Sequence, residues 1–142
     1  MFFTSVSKGI KKGLHTTWTL AKIVIPVYVI VTILKYTPVL NFVANIFRPF
    51  MKIFNLPGEA VLPLVFGNLV NLYAGTAAMG AIDLTPMQIT TIAVMLSFSH
   101  SMLVETAVTT KLNAKVSHVV GIRVGLAIVF GILVGQLGGA LC

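Results

Sequence analysis

The sequence predicts an all-α integral membrane protein, and three observations carry that prediction. Hydrophobic residues make up 57% of its 142 residues and charged residues only 9%, whereas soluble domains carry about a quarter charged. The apolar residues gather in runs of about twenty, the length that crosses a bilayer. The ten Lys and Arg residues lie at the ends of those runs, not on a polar domain. The net charge of +7 therefore points to anionic lipid headgroups as partners and away from nucleic acid. The expected division is an N-terminal interfacial segment, 1–16, and one membrane domain, 17–142. That domain holds about four membrane helices, some open to being broken or re-entrant, plus an amphipathic interfacial helix.

In residues 1–16, Phe3, Val6, Ile10 and Leu14 fall at helical spacing, with Lys8, Lys11 and Lys12 largely elsewhere. This suits a short helix lying on the membrane surface, although Gly9 and Gly13 weaken it. The next apolar run is long and is followed by no small-residue cleavage pattern, so it reads as a retained anchor. The first span is 18–36. It covers about 28 Å, close to the hydrocarbon thickness. Trp18 and Tyr36 mark its ends, where aromatic belts form. Lys22 and Lys35 can snorkel, and Pro26 permits a kink.

Over 39–55, Asn41, Asn45, Arg48, Lys52 and Asn55 follow one another by four, three, four and three. The positions between them are mostly apolar and include four Phe. One polar stripe on a greasy cylinder predicts an interfacial helix. Arg48 and Lys52 at mid-length argue against a span. Thr37-Pro38 starts it and Pro57-Gly58 stops it.

The segment 59–80 opens on Glu59, where a carboxylate suits a helix start. Asn68, Asn71 and Gly75 share a face, and residues 74–80 are nearly all small. The two Asn side chains read equally as interhelical clamps or as solute ligands. Pro63 offers a break.

Thr85-Pro86 starts the segment 87–110. It is long enough to span with tilt, or it breaks near residues 97–101 and folds back. Ser97, Ser101, Glu105 and Thr109 are spaced four apart and share one helical face, with His100 at its border. Ionisable groups among apolar residues usually mark a solute or ion path. Ser and Thr also serve as hydrogen-bond glue between helices.

The last span, 119–141, carries Gly121, Gly125, Gly131, Gly135 and Gly139 within an arc of about 120°. That stripe predicts close packing against another helix. Arg123 points away from it and is expected to reach headgroups, with His118 interfacial. The lone Cys142 excludes an intrachain disulfide and a metal-type Cys pattern, and its position does not make a prenylation box. With four spans and the N-terminus inside, four cationic residues face six across the membrane. So weak a bias allows insertion both ways and an antiparallel homodimer.

Two blocks of residues resemble the nucleoside recognition, or Gate, family of small membrane domains. One is Leu56-Pro57-Gly58-Glu59-Ala60 through Asn68 to Gly80. The other is Ser99-His100-Ser101-Met102-Leu103-Val104-Glu105-Thr106-Ala107. An amphipathic helix before Pro-Gly-Glu, then a Ser/His segment ending in Glu-Thr, is similar to that family's arrangement. Relatives include spore maturation proteins A and B and the gates of ferrous iron transport protein B. The resemblance implies a half-transporter unit in a prokaryotic cytoplasmic membrane, working as a homo-oligomer or with a similar Gate protein.

The expected function is therefore transport of a small polar solute or ion, along a path lined by Asn68, Asn71, Ser97, His100, Ser101 and Glu105. A structural or assembly role without transport is the alternative. Divalent metal passage is a third reading, using His100 and Glu105 from each of two protomers; the metal site itself stays unassigned. No Walker-type loop, HExxH pattern or nucleophile–base pair occurs, so neither catalysis nor a cofactor is expected.

Overall fold

The computed structural model describes residues 2–112 and 115–141, with side chains from 4 to 138. Seven α-helices follow in order among the described residues. They are α1 (Phe2–Lys35), α2 (Pro38–Lys52), α3 (Val61–Leu69), α4 (Leu72–Ala81), α5 (Pro86–Ser99), α6 (Met102–Lys111) and α7 (Val116–Leu141). A 3-10 turn, Gly58–Ala60, leads into α3, and no strand occurs among these residues. Cys142 and the surroundings of Gly139 lie outside the described residues. The all-α membrane class is met: the stretches Thr4–Lys35, Pro86–Lys111 and Val116–Gly138 are long and apolar enough to cross a bilayer.

The segments 1–16 and 18–36, expected to be separate, form one uninterrupted helix. No Pro lies between them, and Gly9 and Gly13 face open space, so nothing ends the helix there. The segment 59–80 is not a single membrane helix either. It breaks at Val70-Asn71, and α3 and α4 pack side by side as a hairpin. Glycine permits the close approach. A Cβ on Gly75 would lie 2.9 Å from Gly67 Cα and 3.0 Å from the Pro63 carbonyl oxygen.

The small residues of α4 meet α1. Ala74, Ala77, Ala78 and Ala81 form a buried cluster with Val27 and Val31, which lets the two helices approach closely. At one end of this pair Lys35 Nζ bonds Asp83 Oδ2 at 2.6 Å. The start of α5 follows the sequence signal: Thr85 and Gln88 form a capping box before Pro86.

A second buried cluster joins Ile92, Met95 and Leu96 of α5 to Met51 of α2, to Phe54 and Leu56 after it, and to Ala127 of α7. The polar stripe read over 39–55 ends early, because α2 stops at Lys52. Asn55 instead adopts a left-handed turn with φ 56° and donates from Nδ2 to the Gly135 carbonyl at 3.3 Å. The glycine stripe of α7 is accordingly divided. Gly131 abuts Met95 and Phe54, and a Cβ on Gly135 would overlap the Phe54 carbonyl. Gly121 and Gly125 have nothing within 4 Å of where a Cβ would stand. The chain fills one half of its own groove and leaves the other open.

Candidate functional site

Two helix breaks face each other, and each releases a backbone group that the other takes up. At the first, the N–H groups of Val70 and Asn71 both turn to the Phe66 carbonyl, at 3.0 and 3.2 Å. The Gly67 carbonyl, which Asn71 would bond in an unbroken helix, is left over. Asn71 is extended, and its Oδ1 accepts from the Ala74 N–H at 2.9 Å. It is the N-cap of α4.

At the second break His100 is extended, and Ser101 is left-handed with φ 54° and ψ 37°. That conformation costs a non-glycine residue about 1–2 kcal/mol. The Ser101 N–H turns away from α5 and bonds the freed Gly67 carbonyl at 3.0 Å. Two broken helices are thus stitched through their backbones, as required where little water reaches. The segment does not fold back along α5; α6 packs on α7 and α3.

Arg123 of α7 braces the second break. Its Nε donates to the Phe98 carbonyl at 2.8 Å, and its guanidinium pairs with the Glu105 carboxylate. The expectation that Arg123 reaches headgroups is therefore corrected. A cation one turn or two inside an apolar helix needs an anion, and Glu105 is the only acidic residue after Asp83. The pair is partly shielded, with Arg123 at 23% and Glu105 at 35% side-chain exposure.

A cavity of about 340 Å3 opens against both breaks, walled by Leu64 and Asn68 of α3, Met95 and Ser99 of α5, Met102 of α6 and Val124 of α7. It is mostly apolar with two polar points. Asn68 donates from Nδ2 to the Leu64 carbonyl at 2.7 Å, which leaves its Oδ1 as a free acceptor. Ser99 is buried and donates to the Met95 carbonyl at 2.9 Å.

Of the six residues expected on the path, only Asn68 lines this cavity. Asn71 caps α4. Ser97 is exposed and bonds back to Ala93 at 2.8 Å. His100 is half-buried with Nδ1 on the Leu96 carbonyl, 2.8 Å away. Ser101 contributes its backbone, and Glu105 is held by Arg123. The break at residues 100–101 divides the shared face, leaving Ser97 on α5 and Glu105 on α6. Ser99, Met102 and Arg123 escaped the sequence reading. Only Arg123 carried a signal, as a cation in an apolar helix with one acid to pair with. Among the described residues no three His, Cys, Asp or Glu side chains cluster in a way that could hold a metal ion.

The sequence is 41% identical over 129 residues to the uncharacterized membrane protein YvoD of Bacillus subtilis (strain 168). That match covers 91% of this chain, which spans only 41% of YvoD. No solved structure matches. The family pattern described as Gate, nucleoside recognition, matches residues 17–115, from α1 through both breaks and α6. With paired broken helices inside that match, the chain belongs to the nucleoside recognition (Gate) family of membrane proteins.

Proposed function

We propose that the chain is a half-transporter unit that passes a small solute through the cavity between α3, the α5–α6 break and α7. One observation carries this reading: two broken helices meet beside an apolar cavity with a free amide acceptor. Irregular backbone inside a membrane is tolerated where it is buried in protein or lines a cavity, and broken helices build transporter binding sites. At about 340 Å3 the cavity lies at the small end of ligand pockets. Its lining suits a solute with an apolar ring or chain and one or two hydrogen-bond donors. The family description makes nucleosides the first class to try.

In this reading Asn68 Oδ1 accepts from the solute and Ser99 offers a second polar contact. The Arg123–Glu105 pair holds the break closed, and its release frees α6 to move. A second copy docks on the open half of the glycine stripe, at Gly121 and Gly125, to complete the path. Prokaryotic cytoplasmic membranes are the expected setting, because the relative is bacterial.

The test is binding to the purified chain in detergent, followed by thermal shift against nucleosides, divalent metals and organic anions. Asn68→Leu keeps volume and removes the acceptor, so ligand-induced stabilisation should fall about tenfold in apparent affinity, or about 1.4 kcal/mol. A ligand that binds Asn68→Leu and Ser99→Ala as well as the parent would overturn the assignment. Arg123 as an internal brace also supports a second reading, an assembly subunit without a solute. There, Arg123→Met would weaken oligomerisation while no ligand class shifts the parent.

A further inference from the structure

The polar side of α2 faces a cavity of its own. Asn41, Asn45, Arg48 and Lys52 form one wall, and Gly58 and Glu59 of the 3-10 turn form the other, around a space of about 490 Å3. The two walls are fixed relative to each other. A Cβ on Gly58 would overlap the Ala44 carbonyl, so only glycine lets the turn sit against α2. Leu40 and Met51 of α2 and Ala60 of the turn are buried beneath them.

The charges in this space are unusual in one respect. Arg48 and Lys52 come from α2 four residues apart, and Glu59 comes from the turn. The ion pairs of the described residues are Lys35–Asp83 and Arg123–Glu105. Among the described residues the cations of α2 and the carboxylate of the turn share a cavity without an ion pair between them, although Glu59 also acts at longer range on Lys35. Free charges of both signs facing one space suit a ligand that carries both signs. Beside them α2 exposes Phe42, Ile46, Phe47 and Phe50. At about 22 Å, α2 is too short to cross a bilayer.

We propose that this cavity binds a zwitterion bearing a phosphate or carboxylate a few bonds from a primary ammonium. The anionic group lies on Arg48 and Lys52, the strong charge-assisted partners for it. The ammonium donates to Glu59, and Asn41 and Asn45 bond the neutral oxygens. An aminophospholipid headgroup and a free amino-phosphate share this chemistry. This site is separate from the cavity beside the helix breaks, and neither reading depends on the other.

The experiment uses the full chain in mixed micelles doped in turn with phosphatidylethanolamine, phosphatidylcholine and phosphatidylglycerol, with bound lipid read by native mass spectrometry. Phosphatidylethanolamine should bind about tenfold more tightly than either of the others. A trimethylated ammonium has no N–H to donate to Glu59, and a glycerol headgroup has no ammonium. Glu59→Gln should erase the preference over phosphatidylcholine, while Arg48→Gln with Lys52→Gln should lower binding of all three lipids. Displacement by soluble glycerophosphoethanolamine assigns the headgroup alone as sufficient; failure to displace a tightly bound aminophospholipid assigns the lipid. Equal binding of the three lipids by the unmodified chain would overturn the proposal without reference to any variant. So would an intact preference in folded Glu59→Gln.

Discussion

The two helix breaks are built in opposite ways. The α3–α4 break is closed by its own neighbourhood: Asn71 caps the helix that follows, and Gly67 and Gly75 let the two arms touch. The α5–α6 break has no side-chain cap. Ser101 sits in a left-handed conformation with no side-chain cap bond. Its N–H is satisfied by α3 and the nearby Phe98 carbonyl by α7. The first break draws its side-chain cap from its own arms, and only its freed Gly67 carbonyl is met by the Ser101 N–H of the second. A break propped by distant helices depends on their placement, so the second is the one more sensitive to changes in α3 and α7.

The largest test of that contrast is Arg123→Met. It leaves Glu105 partly buried without a partner and Phe98 without its donor, a loss of about 3 kcal/mol. Thermal unfolding of the full chain in detergent reads it. Adding Glu105→Gln should recover about half, since the stranded charge is gone, and a double-mutant cycle measures that coupling. Next is Gly75→Ala, which presses on the Gly67 backbone and should cost about 1–3 kcal/mol. Asn71→Ala removes a local cap for about 1 kcal/mol and should leave ligand binding nearly intact. If Asn71→Ala cost more than Arg123→Met, the contrast would be reversed. The smallest effect is Ser101→Gly. Relief of the left-handed strain should outweigh the added chain entropy and stabilise the fold by about 0.5 kcal/mol.

The membrane class and the long helices were legible because apolar runs and cap signals are local. Thr85-Pro86 announced α5 correctly, and Pro38 announced α2. The breaks were harder to read. Val70-Asn71 contains neither Gly nor Pro, so an apolar run of helical length concealed that turn. The break at His100-Ser101 falls where the sequence offers one, near residues 97–101, but the chain does not fold back there. Ser101 takes a conformation that usually selects glycine, and its support lies in α3, more than thirty residues earlier. Of the glycine stripe, Gly131 and Gly135 pack within the chain while Gly121 and Gly125 face open space. That Phe54 and Met95 would fill part of it depended on a turn at Asn55 that the polar spacing disguised as helix. Of the expected site residues, Asn68 reached the cavity because it lies one turn before a break. Ser97 did not, because four-residue spacing holds a face only while the helix runs on.

The contact between Lys35 and Asp83 also brings two distant element ends to one place. It ties the end of the first long helix to the loop before the second long stretch, Pro86–Lys111, so the hairpin between them leaves and returns at the same level. The hairpin adds no crossing. Three stretches are long and apolar enough to cross, and three crossings would put residues 4 and 138 on opposite faces. Lys8, Lys11, Lys12, Lys111 and Lys115 then gather on one side, opposite Lys35, Arg48 and Lys52. By the positive-inside rule such an imbalance predicts the start of α1 on the cytoplasmic side, and side-specific reporters placed before α1 and after α7 should then give opposite signals. Opposite signals would favour parallel over inverted copies in any homo-oligomer; equal mixtures of both signals would favour the antiparallel pair.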